Sequence, residues 1–352
     1  ASDVYKRQLL ALGEGARITK LVEHFLPASL GHYYLAFTRY LGFPEHGDEY
    51  KVMGLASYGE DAYADLFASV LAPRDDGTFH LDHSYFNTYF DVAGELHTSK
   101  LEKVLGPPRR PEEDVTRRYY DVAASAQMAL NRVGVALASQ LARRTGAHQL
   151  CLTGGVALNC VMNQKILNAG VFDGVYVPPA AHDAGASLGA ALYAYYRRVG
   201  DDRTREELKD AALGPSYPES VLENALTLYK LNYERPPDIA AFAAEAVAQG
   251  LIVGWFQGRA EFGPRALGQR SILADARRPE MKDLVNRTVK YREGFRPFAP
   301  SVKSERAGDY FVPARESRFM TVTFDATPRA REEIPAVVHI DGTSRIQTVH
   351  AD

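Results

Sequence analysis

QLCLTGGVALNCVMN (residues 149–163) is the stretch that decides the fold of the first half of this chain. Gln149–Leu152 has the apolar character of a short buried strand, Gly154–Gly155 predicts a turn, and Val156–Leu167 has the spacing of a helix. At such a turn, backbone N–H groups and the helix dipole point at the same spot, and glycine lets a phosphate approach closely. The stretch therefore predicts an anion site, with a turn that serves only close packing as the alternative.

The flanking sequence continues this alternation of helices and strands. Apolar residues at helical spacing predict a long helix over Val115–Arg144, and Gly174–Val177 predicts a second strand. An Ala/Gly-rich helix follows over Ala184–Tyr196, and its small residues predict close packing on a sheet. This order of elements is typical of an α/β layered domain. Asp183 precedes the last helix and fits either an N-cap or a carboxylate ligand for a metal beside a phosphate.

A second informative stretch is GWFQGRAEFGPRALGQRSILADARRPEMKDLVNRTVKYREGFRPFAP (residues 254–300). From Arg259 to Lys303 the chain has eleven Lys or Arg and five Asp or Glu, a local charge of +6 within a net charge of −3. These cations alternate with Gly, Pro and Phe, which favours a folded pocket over a solvated tail. A concentrated positive site in a mildly acidic protein predicts an anionic ligand.

Length and composition narrow the class of protein. A chain of 352 residues, 46% hydrophobic and 24% charged, predicts at least two globular domains. No apolar run approaches the roughly 20 residues of a membrane span, and we find no secretory signal or basic face with stacking aromatics. We therefore expect a cytoplasmic protein that binds neither membrane nor nucleic acid. Cys151 and Cys160 are expected to be small buried residues in a reducing compartment.

Several motifs, in their order along the chain, resemble the O-carbamoyltransferase family, which includes enzymes that carbamoylate antibiotics and nodulation factors. The motifs are EYKVMGLASYG, TGGVALNCVMN, VPPAAHDAGASLGAAL, GWFQGRAEFGPRALGQRSILAD and KYREGFRPFAPSV, and the resemblance runs from about Ile18 to Val349. It implies an actin/hexokinase-like (ASKHA) domain over residues 1–212, similar to the universal tRNA threonylcarbamoylation protein. For residues 213–352 it implies an α/β adenylate-forming domain that resembles threonylcarbamoyl-adenylate synthase.

The resemblance also implies that both domains are incomplete. The family begins with a subdomain that carries a metal-binding histidine cluster of HHxxHA type, whose spacing His24, His32 and His46 do not match. It continues beyond HIDGTSRIQTVHAD, where family members contribute Ser and Asn to the adenylate pocket. We therefore expect a chain truncated at both ends.

Two-step chemistry is what the resemblance implies for function. Carbamoyl phosphate and ATP would give carbamoyl adenylate, and a hydroxyl of a small sugar-like or antibiotic-like acceptor would take the carbamoyl group. A divalent metal, iron-like or magnesium, is implied at Asp183, and a homodimer is a further expectation. The alternatives are a tRNA threonylcarbamoylation enzyme and a non-catalytic nucleotide-binding fragment. The fusion order and the GPRALGQRSILAD motif favour O-carbamoyl transfer.

Most of the implied site residues lie in the two stretches, with Lys51 in an upstream loop and Arg345 in the downstream segment HIDGTSRIQTVHAD. Adenylate formation gathers negative charge, which preorganised Arg and Lys side chains stabilise. The family match assigns direct, catalytic contacts to four cations: Arg265, Lys290, Arg296 and Arg345. It assigns nucleotide binding to Gly154, Gly155 and Asn159 in the first domain, and to three further cations that contact the nucleotide or orient the first four: Arg259, Arg270 and Arg292.

Each of these assignments has a structural alternative. A single cation of the basic stretch could instead form an exposed ion pair with Glu261, Asp283 or Glu293, which would contribute little. Lys51, in the loop PEHGDEYKVMGLASYG, is assigned to a nucleotide phosphate or ribose. The alternative for Lys51 is a surface lysine whose stem packs against the protein.

Overall fold

The computed structural model describes residues 6–87, 94–200 and 207–350. It divides the chain into two compact units, Ala1–Arg205 and Glu206–Asp352, and both contain helices and strands. The fold is therefore mixed α/β. The predicted boundary at 212/213 lies slightly later than the observed division, and Ala211 packs in a hydrophobic cluster of the second unit.

The first unit combines α-helices with three two-stranded pairings. Its strands are Lys6–Glu14, Arg17–Phe25, Leu71–Pro73, Phe79–Leu81, Gln149–Cys151 and Gly174–Tyr176. Its α-helices are Leu30–Tyr40, Glu49–Ala56, Ala64–Val70, Ser99–Leu105, Arg117–Thr145, Cys160–Asn168 and Gly185–Val199. Two short 3₁₀ helices, His83–Tyr85 and Gly155–Leu158, complete the described elements.

The long helix Arg117–Thr145 forms the centre of this unit's core, as its apolar spacing predicts. The helix Glu49–Ala56 packs against it, and the following LASYG turn makes the approach very close. A Cβ added at Gly59 would lie 2.0 Å from the carbonyl oxygen of Tyr120. Only glycine fits at that contact, so this part of the EYKVMGLASYG motif serves packing.

A parallel strand pair carries the diglycine turn. Gln149–Cys151 pairs with Gly174–Tyr176, with Leu150 opposite Val175. The prediction of one continuous helix over Val156–Leu167 is wrong, because the chain forms a 3₁₀ turn and then a separate α-helix. Asn159 separates the two: its backbone is extended (φ −75°, ψ 90°) and its side chain caps the second helix.

The Ala/Gly-rich helix Gly185–Val199 forms as predicted, but the expected close packing of its small residues is wrong, because none of its residues is buried. The N-cap interpretation of Asp183 is also wrong. Ala184 occupies the cap position, no side chain caps this helix, and Asp183 is exposed one residue earlier. Gly185 instead lies against the preceding loop, where an added Cβ would meet the Ala180 carbonyl oxygen at 2.0 Å.

The second unit combines short strands and helices around small hydrophobic clusters. Its strands are Val253–Phe256, Arg270–Leu273, Ser301–Lys303, Phe311–Val312, Thr323–Ala326, Thr343–Arg345 and Gln347–Val349. Its α-helices are Glu219–Leu228, Ile239–Ala248, Met281–Val285, Ala307–Tyr310 and Pro328–Glu333, with a π-helical turn at Asn286–Lys290 and 3₁₀ turns at Ser304–Arg306 and Pro335–Val337. Ser301–Lys303 and Gln347–Val349 are parallel, and the other described strand pairs of this unit are antiparallel.

Two remaining features of the chain bear on its class. Both cysteines are free, but Cys151 is exposed, so the prediction that both are buried holds only for Cys160. Within the described ranges, no helix combines the length and the apolar composition that crossing a membrane requires.

Candidate functional site

The diglycine turn and the segment before Asp183 meet at the carboxyl edge of the parallel strand pair. Leu152 N–H donates to the Tyr176 carbonyl at 2.9 Å, extending the pairing beyond the strands. Gly154 N–H and the Thr153 hydroxyl then donate to the Ala181 carbonyl at 2.6 and 3.1 Å. Ligands of parallel α/β sheets bind at this edge. The fold therefore brings together two motifs that are about thirty residues apart in the sequence.

Both glycines of the turn face open space. Gly154 has φ +96°, a backbone conformation that residues other than glycine adopt only with strain. A Cβ added at Gly154 or at Gly155 would meet no atom within 4 Å among the described residues. Close packing therefore does not explain either glycine. The open face is what a phosphate group approaching the backbone requires.

Asn159 lies at the end of this turn, with its side chain buried. Its Oδ1 accepts from Met162 N–H at 2.9 Å and from Gln127 Nε2 at 3.1 Å, and its Nδ2 donates to Gln127 Oε1 at 2.9 Å. Asn159 also forms a side-chain hydrogen bond with the Tyr34 hydroxyl. Asn159 is thus held by the protein through both the oxygen and the nitrogen of its side-chain amide.

The surroundings of Asp183 do not make a complete metal site. One group of three potential ligand side chains lies close together in the described ranges, and it consists of Glu95, His97 and Glu102. Contacts within the protein account for that group, because His97 Nε2 and Glu102 Oε1 form a hydrogen bond of 3.1 Å and Glu95 Oε2 lies 3.6 Å from the same nitrogen. Asp183 lies outside it. A single exposed carboxylate cannot hold a divalent metal by itself.

Lys51 adopts the packed arrangement. Its Nζ lies 3.0 Å from Asp48 Oδ1 and 5.4 Å from the ring centroid of Phe43, and the side chain is 15% exposed. The helix that carries it reaches the Asn159 region at Met53, whose sulfur lies 3.6 Å from Cys160 Sγ. A nucleotide contact by Lys51 would compete with the Asp48 ion pair, and it stays a prediction.

In the second unit, three of the predicted cations donate hydrogen bonds to the protein itself, mainly to backbone carbonyls. Arg259 donates to the Leu213 and Gly214 carbonyls at 2.9 and 2.8 Å. Arg270 donates to the carbonyls of residues 257, 258 and 269, with its guanidinium 3.6 Å from the ring centroid of Phe256. Arg292 donates to Asn286 Oδ1 at 2.6 Å and to the Pro297 carbonyl at 3.3 Å. All three guanidinium groups therefore hold backbone segments in place.

Glu261 organises the loop that carries Arg265. Its Oε1 accepts three backbone N–H bonds, from Leu267 at 2.8 Å, Gln269 at 2.9 Å and Arg270 at 3.1 Å. Partial burial would raise the pKa of Glu261, but these donors outweigh it and hold the pKa below the ordinary value. The sequence analysis considered Glu261 as an ion-pair partner for a cation. The structure gives it a different role, as the anchor of the loop.

Gln347 joins the segments that carry Arg265, Arg296 and Arg345. Its side chain donates to the Leu267 carbonyl and its backbone N–H donates to the Pro300 carbonyl, both at 2.9 Å. The Arg345 strand directly precedes it, and the Arg296 loop directly precedes Pro300. Two loops of the basic stretch and the downstream strand that carries Arg345 therefore meet at Gln347.

The four cations assigned to direct contacts differ in their surroundings. Lys290 is exposed and forms no ion pair with a described residue, whereas Arg296 lies 3.5 Å from Glu293. Arg265 is half-buried. Arg345 is also half-buried, and its Nε is inaccessible to solvent and has no hydrogen-bond acceptor among the described residues. A buried guanidinium N–H without a protein acceptor suits an anionic ligand.

Sequence reasoning missed three structural supports of these sites: Gln127, Glu261 and Gln347. Gln127 could have been found, because it is a polar residue on the apolar face of a predicted helix. No local pattern indicates the other two, since Glu261 binds backbone N–H groups and Gln347 joins segments far apart in sequence.

Comparison with known proteins identifies the family to which the chain belongs. A family model described as the carbamoyltransferase N-terminus matches residues 3–192, and one described as the carbamoyltransferase C-terminus matches residues 244–352. An uncharacterized protein of Synechocystis sp. is 39% identical over 97% of this chain and 60% of its own length.

Two relatives carry descriptive names. Nodulation protein NolO of Bradyrhizobium diazoefficiens is 42% identical over 97% of this chain and 61% of its own length. Nodulation protein NolNO of Sinorhizobium fredii is 41% identical over 97% of this chain and 49% of its own length. The chain thus spans about half to three fifths of the length of these curated relatives.

Proposed function

The chain belongs to the carbamoyltransferase family, and from this premise we propose that it is part of an ATP-dependent O-carbamoyltransferase. The second unit, which has the basic stretch, forms carbamoyl adenylate. The first unit, which has the diglycine turn, transfers the carbamoyl group to a hydroxyl of a small sugar-like or antibiotic-like acceptor. The predicted fold types, actin-like for the first unit and threonylcarbamoyl-adenylate-synthase-like for the second, belong to this proposal.

The first step consumes carbamoyl phosphate and ATP. Hydrolysis of carbamoyl phosphate releases phosphate and leaves carbamate, and a carbamate oxygen attacks the α-phosphorus of ATP. Pyrophosphate leaves and carbamoyl adenylate forms. Negative charge increases on the phosphate oxygens during this displacement, so fixed cations lower the barrier. Arg265, Lys290, Arg296 and Arg345 are the residues to which we assign this task.

One observation carries this assignment: three of the four cations lie on segments that Gln347 holds together. Because these segments are joined, we infer that their three arginines face one ligand. Arg259, Arg270 and Arg292 support the same site indirectly, because their contacts with carbonyls fix the loops beside it. We infer an orienting role for these three rather than direct nucleotide contact.

The second step transfers the carbamoyl group. The acceptor oxygen attacks the carbamoyl carbon of carbamoyl adenylate, AMP leaves, and the acceptor gives up its hydroxyl proton. In the first unit, the open turn at Gly154–Gly155 offers the Gly155 N–H and an unobstructed approach to the backbone for the phosphate group of the adenylate. We assign no residue of this chain as the base.

A divalent metal, iron-like or magnesium, stays a proposal for the first unit, with Asp183 as one ligand. Such an ion would supply Lewis-acid polarisation or charge neutralisation when bound. The described residues do not complete its coordination, so we derive no step that depends on it.

Detection of carbamoyl adenylate tests the proposal directly. The purified chain is incubated with ATP and carbamoyl phosphate, and the products are separated and identified by mass spectrometry. We expect carbamoyl adenylate and pyrophosphate, both dependent on carbamoyl phosphate. Absence of both, in a folded protein that binds ATP, would favour the alternative of a non-catalytic nucleotide-binding module.

A second control addresses the threonylcarbamoylation alternative. Threonine and bicarbonate replace carbamoyl phosphate, with and without tRNA. If the proposal is correct, neither mixture supports formation of an adenylate. Threonylcarbamoyl adenylate as the preferred product would contradict it.

A further inference from the structure

A buried network of neutral side chains lies behind the diglycine turn, and Gln127 is its centre. Gln127 Oε1 accepts from the Tyr34 hydroxyl at 2.6 Å and from Asn159 Nδ2 at 2.9 Å. Its Nε2 donates to Asn131 Oδ1 at 2.7 Å and to Asn159 Oδ1 at 3.1 Å. These four bonds use the full hydrogen-bonding capacity of a glutamine side chain. All four side chains are less than 10% exposed.

The backbone fixes the direction of every bond in this network. Met162 N–H can only donate, so the Asn159 atom that it contacts must be the oxygen. The Gln127 atom facing that oxygen must then be the nitrogen, which in turn faces the oxygen of Asn131. The Tyr34 hydroxyl donates to the remaining Gln127 oxygen. The network therefore has one consistent arrangement, and an amide flip at any member would break it.

Asn159 connects this network to the turn. Its backbone N–H donates to the Val156 carbonyl at 3.0 Å, and Ala157 N–H donates to the Gly154 carbonyl at 3.0 Å. Its side chain begins the next helix. The position of Asn159 therefore determines where the 3₁₀ turn ends and how the Gly155 N–H is presented.

Packing alone does not require an amide at Gln127. Three of its four neighbours one turn away on the helix, Ala123, Ala124 and Leu130, are buried and apolar, and the fourth, Asn131, belongs to the network. Burying a polar group there is unfavourable unless every hydrogen bond is satisfied, and a fully satisfied network mainly rigidifies what it touches. The groups that it touches here are Asn159 and the anion-binding turn.

We propose that Gln127 is a positioning residue for the anion site at Gly154–Gly155, that it acts through Asn159, and that Tyr34 fixes Gln127 in place. This inference rests on the proposed function, because it requires the turn to bind a phosphate group. It assigns Gln127 and Tyr34 no contact with the ligand.

Two adjacent tyrosines give a matched test. Tyr33 and Tyr34 lie on one helix, are 1% and 5% exposed, and each donates one hydrogen bond to the helix Arg117–Thr145. Tyr33 donates to the Ala126 carbonyl at 3.1 Å, outside the network, whereas Tyr34 donates to Gln127. Tyr33→Phe and Tyr34→Phe thus each remove one buried hydroxyl, and only the second removal reaches Asn159, both directly and through Gln127.

The experiment measures affinity for the ATP analogue AMP-PCP by calorimetry, together with the thermal unfolding midpoint, for the whole chain. Binding that Gly155→Val abolishes defines the first-unit site. We expect both Phe variants to lower the midpoint similarly, while Tyr34→Phe alone weakens AMP-PCP binding, by about threefold. Gln127→Leu should weaken it by about tenfold, as loss of a supporting contact does at other ligand sites.

The outcomes separate the inference from its premise. Equal AMP-PCP affinities in Tyr33→Phe and Tyr34→Phe would overturn the positioning role, even if Gln127→Leu fails to fold. Wild-type affinity in a folded Gln127→Leu would overturn it as well. If the wild-type chain shows no AMP-PCP binding that Gly155→Val removes, the proposed nucleotide site in the first unit fails, and this inference fails with it.

Discussion

The candidate site of the first unit is made of backbone N–H groups and buried neutral amides, whereas that of the second unit is made of charged side chains on loops. In the first unit, Gly154–Gly155 lies on a parallel strand pair and is supported by the Gln127 network. In the second, Gln347 and the loop anchor Glu261 hold together segments that carry cations. The first site depends on backbone conformation and the second on charge.

This difference determines how each site should respond to mutation. Replacing a side chain in the second unit removes charge and leaves the backbone in place. At the diglycine turn there is no side chain to remove, so only an added atom or a disturbed support can affect binding. The predictions below use this contrast, and they are ordered from the largest expected effect to the smallest.

Loss of a cation in the second unit should have the largest effect. Arg345→Met and Arg296→Met keep much of the apolar stem and remove the charge. ATP–pyrophosphate exchange driven by carbamoyl phosphate should fall by about 10²–10³ in each, as expected for a preorganised contact to developing charge. Stability should change by less than about 1 kcal/mol.

Arg235→Met is the matched control for these two variants. Arg235 lies in the same unit, is exposed, and pairs with Glu219 and Glu223. Its exchange rate should equal that of the wild type. Wild-type exchange in Arg345→Met and Arg296→Met would remove the proposed adenylate site.

Two glycines of the first unit should separate ligand binding from packing. Gly155→Val should keep the fold, because a Cβ there meets nothing within 4 Å, and should abolish AMP-PCP binding by filling the open face. Gly59→Ala should do the reverse: its Cβ would lie 2.0 Å from the Tyr120 carbonyl oxygen, so it should destabilise the protein by about 3 kcal/mol. Chemical denaturation and calorimetry check both. Unchanged nucleotide affinity in Gly155→Val would mean that the turn is only structural.

Lowering the pH should destabilise the loop of the second site through protonation of Glu261. The folded-state pKa of this carboxyl is below its ordinary value of 4.5, so ionised Glu261 contributes stability above that value. The contribution is lost as pH falls through the lower, folded pKa. Glu261→Gln should therefore be less stable than the wild type at neutral pH, and the difference should shrink as the solution is acidified. A constant difference across the titration would show that the carboxylate charge does not hold the loop.

Asp183 should have the smallest effect on stability and a specific effect on metal. The side chain is exposed and caps no helix, so Asp183→Asn should change the free energy of unfolding by less than about 0.5 kcal/mol. If Asp183 is a ligand, metal content measured by elemental analysis should fall. Equal metal content in the two proteins would rule out the ligand assignment.

Local patterns in the sequence predicted the elements and missed their supports. The strand, diglycine turn and long helix follow from apolar spacing. The break at Asn159 was missed because an N-cap residue stands inside an otherwise continuous apolar run. Hydrophobic periodicity reports which face is buried, and it does not report where one polar group will find its partner.

The supports depend on contacts between distant segments. Glu261 binds N–H groups that only a particular loop conformation points at one oxygen, and Gln347 contacts a carbonyl eighty positions away. For the helix Gly185–Val199 the sequence predicted a contact that the structure lacks: its small residues indicated close packing on a sheet, and none of its residues is buried. Composition could not supply this information, because it exists only once the chain has folded.

The most direct test of the account is a crossed comparison of the two half-reactions in Arg345→Met and Gly155→Val. One assay measures ATP–pyrophosphate exchange driven by carbamoyl phosphate, and the other measures release of AMP when carbamoyl adenylate and an acceptor alcohol are supplied. The account predicts that Arg345→Met loses exchange and keeps transfer, while Gly155→Val keeps exchange and loses transfer. Equal loss of both reactions in either variant would contradict the assignment of one step to each unit.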